Sequence, residues 1–495
     1  MRLGRRLDLT AAPECQCHKR KSLVVITSDD PSWLSLNLAI AKYVRSTEGD
    51  FDVLDVRDID FLGFSIRRSP SNASNKDFLG RLQLSPADQV LIPKNTRRSR
   101  GRPTPSWLIQ SSESALFSHL KTPHPRKNSL LFLEIKRRFE KGALSIYDYC
   151  WDRFSRNHYC KVFVPNGRFP TQAAVVEAAK QFKISVVFWE RGVSADTMYL
   201  GNKPPQDFYP KREFHESFTP SKKQLLTAKE WLTRRTNLMP GGDQFSTNLF
   251  SKGFDSSRSF QEEEEPRQHS QLSFFTSSQD EYWALGGNWP KTDWENQYSA
   301  FNRVISAANK PQALSPTVRM HPNTIGKSPS YVMSEVRSIL KLKDLHPDLR
   351  IIWPHQSENS YDLALKSQWV LVWNSTVGIE AMFLGCNVRH LAESSFPLGS
   401  KSNLLTPQTL HSFWELENSL GQSSKKNSEI AVHSVAAHLA VNLVSIDAVR
   451  ATFKPNQLRS LLMANSFLCI TLNANYYLWR QFANVIFRVA KILVR

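Results

Sequence analysis

The stretch that decides the fold lies between Thr317 and Val388. It contains TVRMHPN (317–323), RIIWP (350–354) and SYDLALKSQWVLVWNSTVGIEAMFLGCNV (360–388). Three short apolar runs in it are typical of β-strands, and the segments around the last run have the spacing of helices. Short strands that alternate with helices predict a parallel sheet, so the sequence indicates an α/β fold.

Polar side chains follow the predicted strands of this stretch. In parallel α/β sheets, ligands bind beyond the carboxyl ends of the strands. Ser375 and Thr376 would begin a helix whose free N–H groups suit a phosphate, and Glu380, about one turn further in, can reach ribose hydroxyls. His321 and Asn323 follow an earlier strand of the same sheet. The alternative is that Ser375 is a plain helix cap and His321 a plain loop histidine.

Positive charge is expected beside the same loop. Arg319 and Lys327 flank His321 in the chain. Together with the His321 side chain they would supply donors and charge for a diphosphate or a sugar phosphate. We therefore expect this edge to hold a phosphorylated ligand.

Two earlier strands, KVFVP (161–165) and ISVVFWE (184–190), also end in polar residues. Asn166 and Arg168 follow the first strand, whereas Glu190 and Arg191 end the second. Glu190 is the first choice for a catalytic carboxylate, and the other three residues would bind an anionic donor or acceptor. An ion pair between Glu190 and a neighbouring arginine is the alternative.

Two further strand ends carry weaker candidates. SLVVITS (22–28) precedes Asp29 and Asp30, which are equally explained as partners of a helix N-terminus. That segment lacks the glycine-rich dinucleotide fingerprint, so NAD or FAD binding is not predicted. QLSFFTS (271–277) ends in Ser277 and Ser278, which suit a donor phosphate or sugar, or form an ordinary turn.

Several of these segments resemble a known family. RMHPN (319–323), SYDLAL (360–365) and NSTVGIEAMFLGC (374–386) are similar to the C-terminal half of two-domain GT-B glycosyltransferases, and above all to the capsule polysaccharide biosynthesis family with its bacterial Kdo transferases. FFTSSQDEYWALGGNW (274–289) and NGRFPTQAAVVEAAKQFKISVVFWERG (166–192) also look like that family. The resemblance spans roughly 166–390.

The resemblance implies two Rossmann-like domains that face a central cleft. The second would bind a nucleotide-activated sugar, with CMP-Kdo as the leading donor, and the first would present a cell-surface polysaccharide or glycolipid acceptor. His321 and the helix start at Ser375 and Thr376 would hold the leaving phosphate, and Glu380 would orient the ribose. Alternatives are a glycerophosphotransferase, a nucleotide-sugar epimerase or a non-catalytic glycan-assembly subunit.

The predicted organisation follows the chain. Residues 1–20 form a disordered basic tail, 21–235 the first domain with an insertion around 57–130, and 236–270 a linker. Residues 271–428 form the second domain, and 429–495 are helices that pack back across the first domain or lie on a membrane surface.

Composition restricts the partners. Lys and Arg number 64 against 45 Asp and Glu, a formal net charge of +19. That excess favours polyanions, but no nucleic-acid reader motif is present, so an anionic membrane surface is the candidate partner besides the sugar substrates. No long apolar run or signal peptide is found, which predicts a cytoplasmic protein, peripheral at the inner face of the plasma membrane. No Asp-x-Asp motif stands in a convincing strand-end context, so we expect metal-free chemistry. We also expect no cofactor, because the nucleotide sugar is a substrate.

Overall fold

The computed structural model of the protein describes residues 21–26, 31–56, 82, 84–93, 105–120, 130–192, 197–207, 213–215, 217–237, 268–279, 283–285, 292–394, 403–419, 424–441, 444–445, 478 and 481–492. The predicted tail, Asp29, Asp30 and most of the predicted linker lie outside these residues.

The first sheet forms around a buried central strand. Its strands are β1 (Lys21–Ile26), β2 (Phe51–Asp55), β3 (Val90–Leu91), β4 (Tyr159–Pro165), β5 (Ser185–Arg191) and β6 (Thr197–Gly201), joined by a strand from the far end of the chain, Val444–Ser445. The first five are parallel in the spatial order β3-β2-β1-β4-β5. At one edge β6 pairs antiparallel with β5, and Val444–Ser445 pairs antiparallel with β6. Strands covered on both faces need continuous apolar runs, as in β1.

In the part of the chain that the structure describes, five helices with given bounds precede the second sheet. They are α1 (Pro31–Thr47), α2 (Ser106–Leu120), α3 (Leu130–Arg156), α4 (Pro170–Gln181) and α5 (Lys222–Thr236). The stretch after residue 129 forms the single helix α3. β3 and α2 fall within 57–130, and Leu91 and Leu108 are buried in the core beside β1 and β4. Part of the predicted insertion is therefore integral to the first sheet, because its short apolar pieces complete that core.

The second sheet is parallel throughout. Its strands are β7 (Gln268–Phe275), β8 (Ser315–Arg319), β9 (Arg350–Ile352), β10 (Ser367–Val372) and β11 (Val388–His390), in the spatial order β11-β10-β7-β8-β9. Its helices are α6 (Gln297–Ile305), α7 (Pro329–Leu345), α8 (Ser360–Lys366), α9 (Val377–Phe383), α10 (Leu410–Ser419) and α11 (Ser424–Val441). Side chains of Asn296, Ser328 and Asn359 accept hydrogen bonds from the first N–H groups of α6, α7 and α8, which fixes where these helices begin.

The α/β prediction with two Rossmann-like sheets is confirmed. In each sheet the first strand lies at the centre, flanked by the second and the fourth in chain order. Such a doubly wound order places a crevice at the carboxyl edge between the first and fourth strands. These switch points lie between β1 and β4 in the first sheet and between β7 and β10 in the second.

The chain passes between the two sheets more than once. Ala228 and Leu232 of α5 lie in the core beside β10 and α9, although the sequence places α5 in the first domain. α11 joins the same core, and the strand Val444–Ser445, hereafter β12, then returns to pair with β6. The predicted domain boundaries stay predictions.

The last described helix, 481–492, is called α12. The ring of its buried residue Phe487 packs at a tilt against the ring of Trp353, with centroids 5.9 Å apart, in the core of the second sheet. The helix therefore packs against the second sheet rather than across the first domain. Among the described residues, no helix combines the length and the apolarity needed to cross a bilayer.

Candidate active site

The switch point of the second sheet is built around Ser277. Its hydroxyl accepts a hydrogen bond from the Asn374 backbone N–H at 3.1 Å, which ties the loop after β7 to the loop after β10. Its own N–H donates to the Gln297 side chain at 2.9 Å, and that side chain donates back to the Ser277 carbonyl at 3.3 Å. Ser277, predicted to contact the donor, therefore already holds the two loops together.

Ser278 differs from its neighbour. Only 3% of the residue is exposed, and its hydroxyl has no hydrogen-bond partner. A buried polar group left unpaired costs about 1–3 kcal/mol. This unpaired hydroxyl lies directly after β7, at the switch point, and is a candidate hydrogen-bond donor to a ligand oxygen.

His321 is fixed by two backbone hydrogen bonds. Its N–H donates to the Thr276 hydroxyl at 2.8 Å, and its Nδ1 accepts from the Asn323 N–H at 3.2 Å. Because Nδ1 accepts a hydrogen bond, the neutral ring carries its proton on Nε2, which makes Nε2 a donor. The geometry thus gives the predicted phosphate-binding histidine a defined tautomer.

Arg319 and Lys327 are both buried, at 3% and 4% exposure. The guanidinium of Arg319 donates to the carbonyls of Trp353 and Gln356, each at 3.1 Å, and so holds the loop after β9. Burial lowers the pKa of Arg319 to about 10, so it stays charged at neutral pH. Its Nε has no hydrogen-bond partner, which leaves one donor for an anion.

The start of α9 has an incomplete cap. Ser375 accepts a hydrogen bond from the Val377 N–H at 3.4 Å, whereas the exposed Thr376 makes no capping bond with its side chain. Of the predicted pair, only Ser375 acts as a cap.

Glu380 has two protein partners. Arg235 Nε lies 2.5 Å from one carboxylate oxygen, and the Tyr361 hydroxyl donates to the other at 2.9 Å. The residue is 1% exposed. These two bonds join α5, α8 and α9 through Glu380. Ribose binding by Glu380 stays a prediction.

A second polar cluster lies at the carboxyl edge of the first sheet. The Asn166 amide donates to Glu190, the Arg191 N–H donates to the same carboxylate at 3.3 Å, and the Gln206 amide lies 3.4 Å away. Asn166 adopts φ 56°, and its side chain accepts from the Arg168 N–H at 3.3 Å. These contacts bring together the four residues that the sequence predicts at this edge.

The electrostatics of this cluster shift two pKa values in opposite directions. Burial raises the pKa of Glu190, although the Asn166 and Arg191 hydrogen bonds and the charges of Arg168 and Arg191 oppose the rise. Burial lowers the pKa of Arg168, and its Nε has no hydrogen-bond partner. Glu190 is therefore a carboxylate whose pKa is moved toward neutrality, as a general base requires.

Sequence reasoning missed the residues that hold these candidates. Three of them are uncharged and belong to no periodic pattern, namely Thr276, Gln206 and Gln297. The other two, Arg235 and Tyr361, lie on helices, where such residues are common. Their partners are distant in sequence. Nowhere in the described part of the chain do three or more His, Cys, Asp or Glu side chains gather as they would to hold a metal ion. The metal-independent mechanism stays a prediction.

The chain matches no protein-family model and no curated protein. Similar solved structures include the β-Kdo 2,4-transferase KpsC of Thermosulfurimonas dismutans, at 11% identity and a TM-score of 0.34, covering 56% of this chain and 79% of that one. They also include the UDP-GlcNAc 2-epimerase of Methanocaldococcus jannaschii, solved with UDP-GlcNAc and UDP, at 13% identity and a TM-score of 0.31, covering 81% and 94%. A glycotransferase of kitacinnamycin has 8% identity and a TM-score of 0.25, covering 85% and 96%. Kdo transferases, which the sequence motifs resemble, are thus among the similar structures, but these values are too low to assign the chain to a family.

Proposed function

We propose that this protein transfers a sugar from a nucleotide-activated donor to a hydroxyl of a cell-surface polysaccharide or glycolipid. The observation that carries the proposal is Glu190, a carboxylate held by neutral amides at a sheet edge with a raised pKa. Glu190 would take the proton of the acceptor hydroxyl while the acceptor oxygen bonds to the anomeric carbon of the donor sugar. The bond from that carbon to the donor phosphate would break, and the electron pair would leave with the phosphate.

The donor would bind at the carboxyl edge of the second sheet. The unpaired Ser278 hydroxyl and the His321 Nε2–H are suitable donors to the leaving phosphate, whose charge grows in the transition state. Asn323, Lys327 and the helix start at Ser375 and Thr376 would complete the nucleotide side. CMP-Kdo is the leading donor on the resemblance alone, and the two edges would face one another across a cleft.

The acceptor side would use the arginines of the first sheet. Arg168 and Arg191 both act electrostatically on Glu190. The unpaired Nε of Arg168 can bind an acidic group on the acceptor or the donor. The nucleotide sugar is a substrate, so the proposal includes no cofactor and no metal.

A thermal-shift screen with CMP, CDP, UDP and GDP tests the donor site. A ligand at 100 times its Kd stabilises the folded protein by about 2.7 kcal/mol. We expect a shift with one nucleotide that is lost in both Ser278→Ala and His321→Ala. Ser338→Ala is the matched control, because that serine lies on the exposed side of α7 and only bonds its own helix.

Two results would count against the proposal. No shift with any nucleotide would favour a non-catalytic assembly subunit. A shift together with interconversion of the free nucleotide sugar in the absence of any acceptor, followed by NMR, would assign an epimerase instead.

A further inference from the structure

The outward face of α12 carries a continuous apolar stripe. It consists of Phe482, Val485, Val489 and Ile492, which are 37%, 58%, 46% and 70% exposed. Their spacing alternates between three and four residues, which places all four on one side of the helix. Exposed apolar patches of this kind mark interaction sites more often than chance exposure.

The opposite face fixes the orientation of the helix. Ala483, Phe487 and Ala490 are 0%, 0% and 3% exposed and belong to the core of the second sheet. Phe487 lies against Trp353, the residue directly after β9. The stripe therefore points outward because the other face is anchored, and it lies beside the carboxyl edge of the second sheet.

Positive charge accompanies the stripe. Arg488 is exposed and Lys491 half-buried on the same helix. Burial lowers the pKa of His355, and the charges of Lys491, Arg488 and Arg319 lower it further, so several cations gather at this end of the second unit. The whole chain carries a net charge of +19.

We propose that α12 docks the protein on an anionic phospholipid bilayer. The stripe would enter the boundary between headgroups and acyl chains, while Arg488 and Lys491 pair with lipid phosphates. A second copy of the chain fits less well, because it would bring together two strongly cationic molecules. One face of a single short helix is also small beside the about 800 Å² per partner that stable interfaces bury.

This docking deepens the proposed function, since it would bring the donor edge close to a membrane-linked acceptor. The structural argument for docking nevertheless uses α12 and not the proposed active site. The test measures vesicle binding and needs no nucleotide sugar. A negative result would therefore leave the proposed sugar transfer untouched, and a positive result would not prove it.

The experiment is co-sedimentation of the full chain with vesicles of phosphatidylglycerol and phosphatidylcholine, compared with phosphatidylcholine alone. We expect binding to the anionic vesicles, weakened at least about tenfold in the Val485→Asp, Val489→Asp double variant. Leu226→Asp with Leu345→Asp is the matched control, because these residues are 59% and 57% exposed on other helices. Arg488→Gln with Lys491→Gln should reduce the preference for anionic vesicles and its salt dependence.

Circular dichroism and a thermal melt confirm that each variant is folded. The proposal is overturned if the full chain binds no vesicles, or if the valine variant binds as well as the control pair. A concentration-dependent dimer that the valine variant abolishes, without vesicle binding, would assign the stripe to a second copy.

Discussion

Two glutamates near the carboxyl edges of the two sheets are held in opposite ways. Glu190 of the first sheet is half-buried and receives hydrogen bonds from the Asn166 amide and the Arg191 N–H. Glu380 of the second unit is 1% exposed, and its oxygens bond the Arg235 guanidinium and the Tyr361 hydroxyl. The hydrogen-bond partners of Glu190 are neutral, which suits the proton transfer proposed for it, whereas Glu380 is bonded to a cation.

The difference shows that position in a fold does not by itself assign a role. Both residues satisfy the rule that polar groups near strand ends serve the ligand. From the difference in their hydrogen-bond partners we propose a chemical role for Glu190 and a structural role for Glu380. Four substitutions test this distinction, beginning with the largest expected effect.

Glu190→Gln should lower kcat for sugar transfer by about 100- to 10,000-fold, because the amide cannot accept the acceptor's proton. The side chain keeps its shape, so the nucleotide thermal shift and the unfolding midpoint should change little. Steady-state kinetics with donor and acceptor measure the effect. A variant that keeps most of its rate would remove Glu190 from the chemistry.

Glu380→Gln should lower the free energy of unfolding by about 3–5 kcal/mol, because it leaves the largely buried Arg235 guanidinium without its counter-ion. Urea denaturation measures the loss. The control is Glu358→Gln in the exposed pair with Arg350, where about 1 kcal/mol or less is expected. Equal losses in the two variants would contradict the structural role of Glu380.

Gly167→Ala should destabilise the loop after β4 by about 1–3 kcal/mol. Gly167 adopts φ 80°, and an added Cβ would lie 2.4 Å from the Phe188 ring. Gly49→Ala separates the two causes, because Gly49 has φ 89° but nothing within 4 Å of the added Cβ. Urea denaturation should show the larger loss for Gly167, and a similar loss at both sites would mean that the ring simply moves aside.

Asn166→Gly should move the acid limb of the pH profile of kcat/KM to higher pH. The Asn166 hydrogen bond lowers the pKa of Glu190, so its loss raises that pKa further, and a base works only when deprotonated. Glycine also accepts the φ of 56° at this position, so the backbone is retained. If the acid limb of the profile does not move, the group that titrates there is not Glu190.

Much of the fold could be predicted because its signals are local. The alternation of apolar runs with helical spacing lies within about thirty residues at a time, and polar residues after each run identify the strand ends. Asn166, Arg168, Glu190 and Arg191, all predicted, meet at one edge for this reason.

The rest depends on contacts that the sequence does not reveal. Arg235 and Glu380 are 145 positions apart, so the sequence around Glu380 does not indicate that an arginine binds it. β3 is two residues long and has no periodicity to recognise. In α12 both the side of Phe487 and the side of Val489 are apolar, and only packing decides that Phe487 points inward and Val489 outward.

The path of the chain makes the two units inseparable even when the covalent link between them is cut. A protease site engineered between residues 238 and 267 would leave an N-terminal piece that holds α5, whose Ala228 and Leu232 fill the second core. The C-terminal piece would hold β12, which completes the edge of the first sheet beside β6. Either piece made alone would expose apolar surface that the other normally covers, so the nicked protein should migrate as one particle until it is denatured.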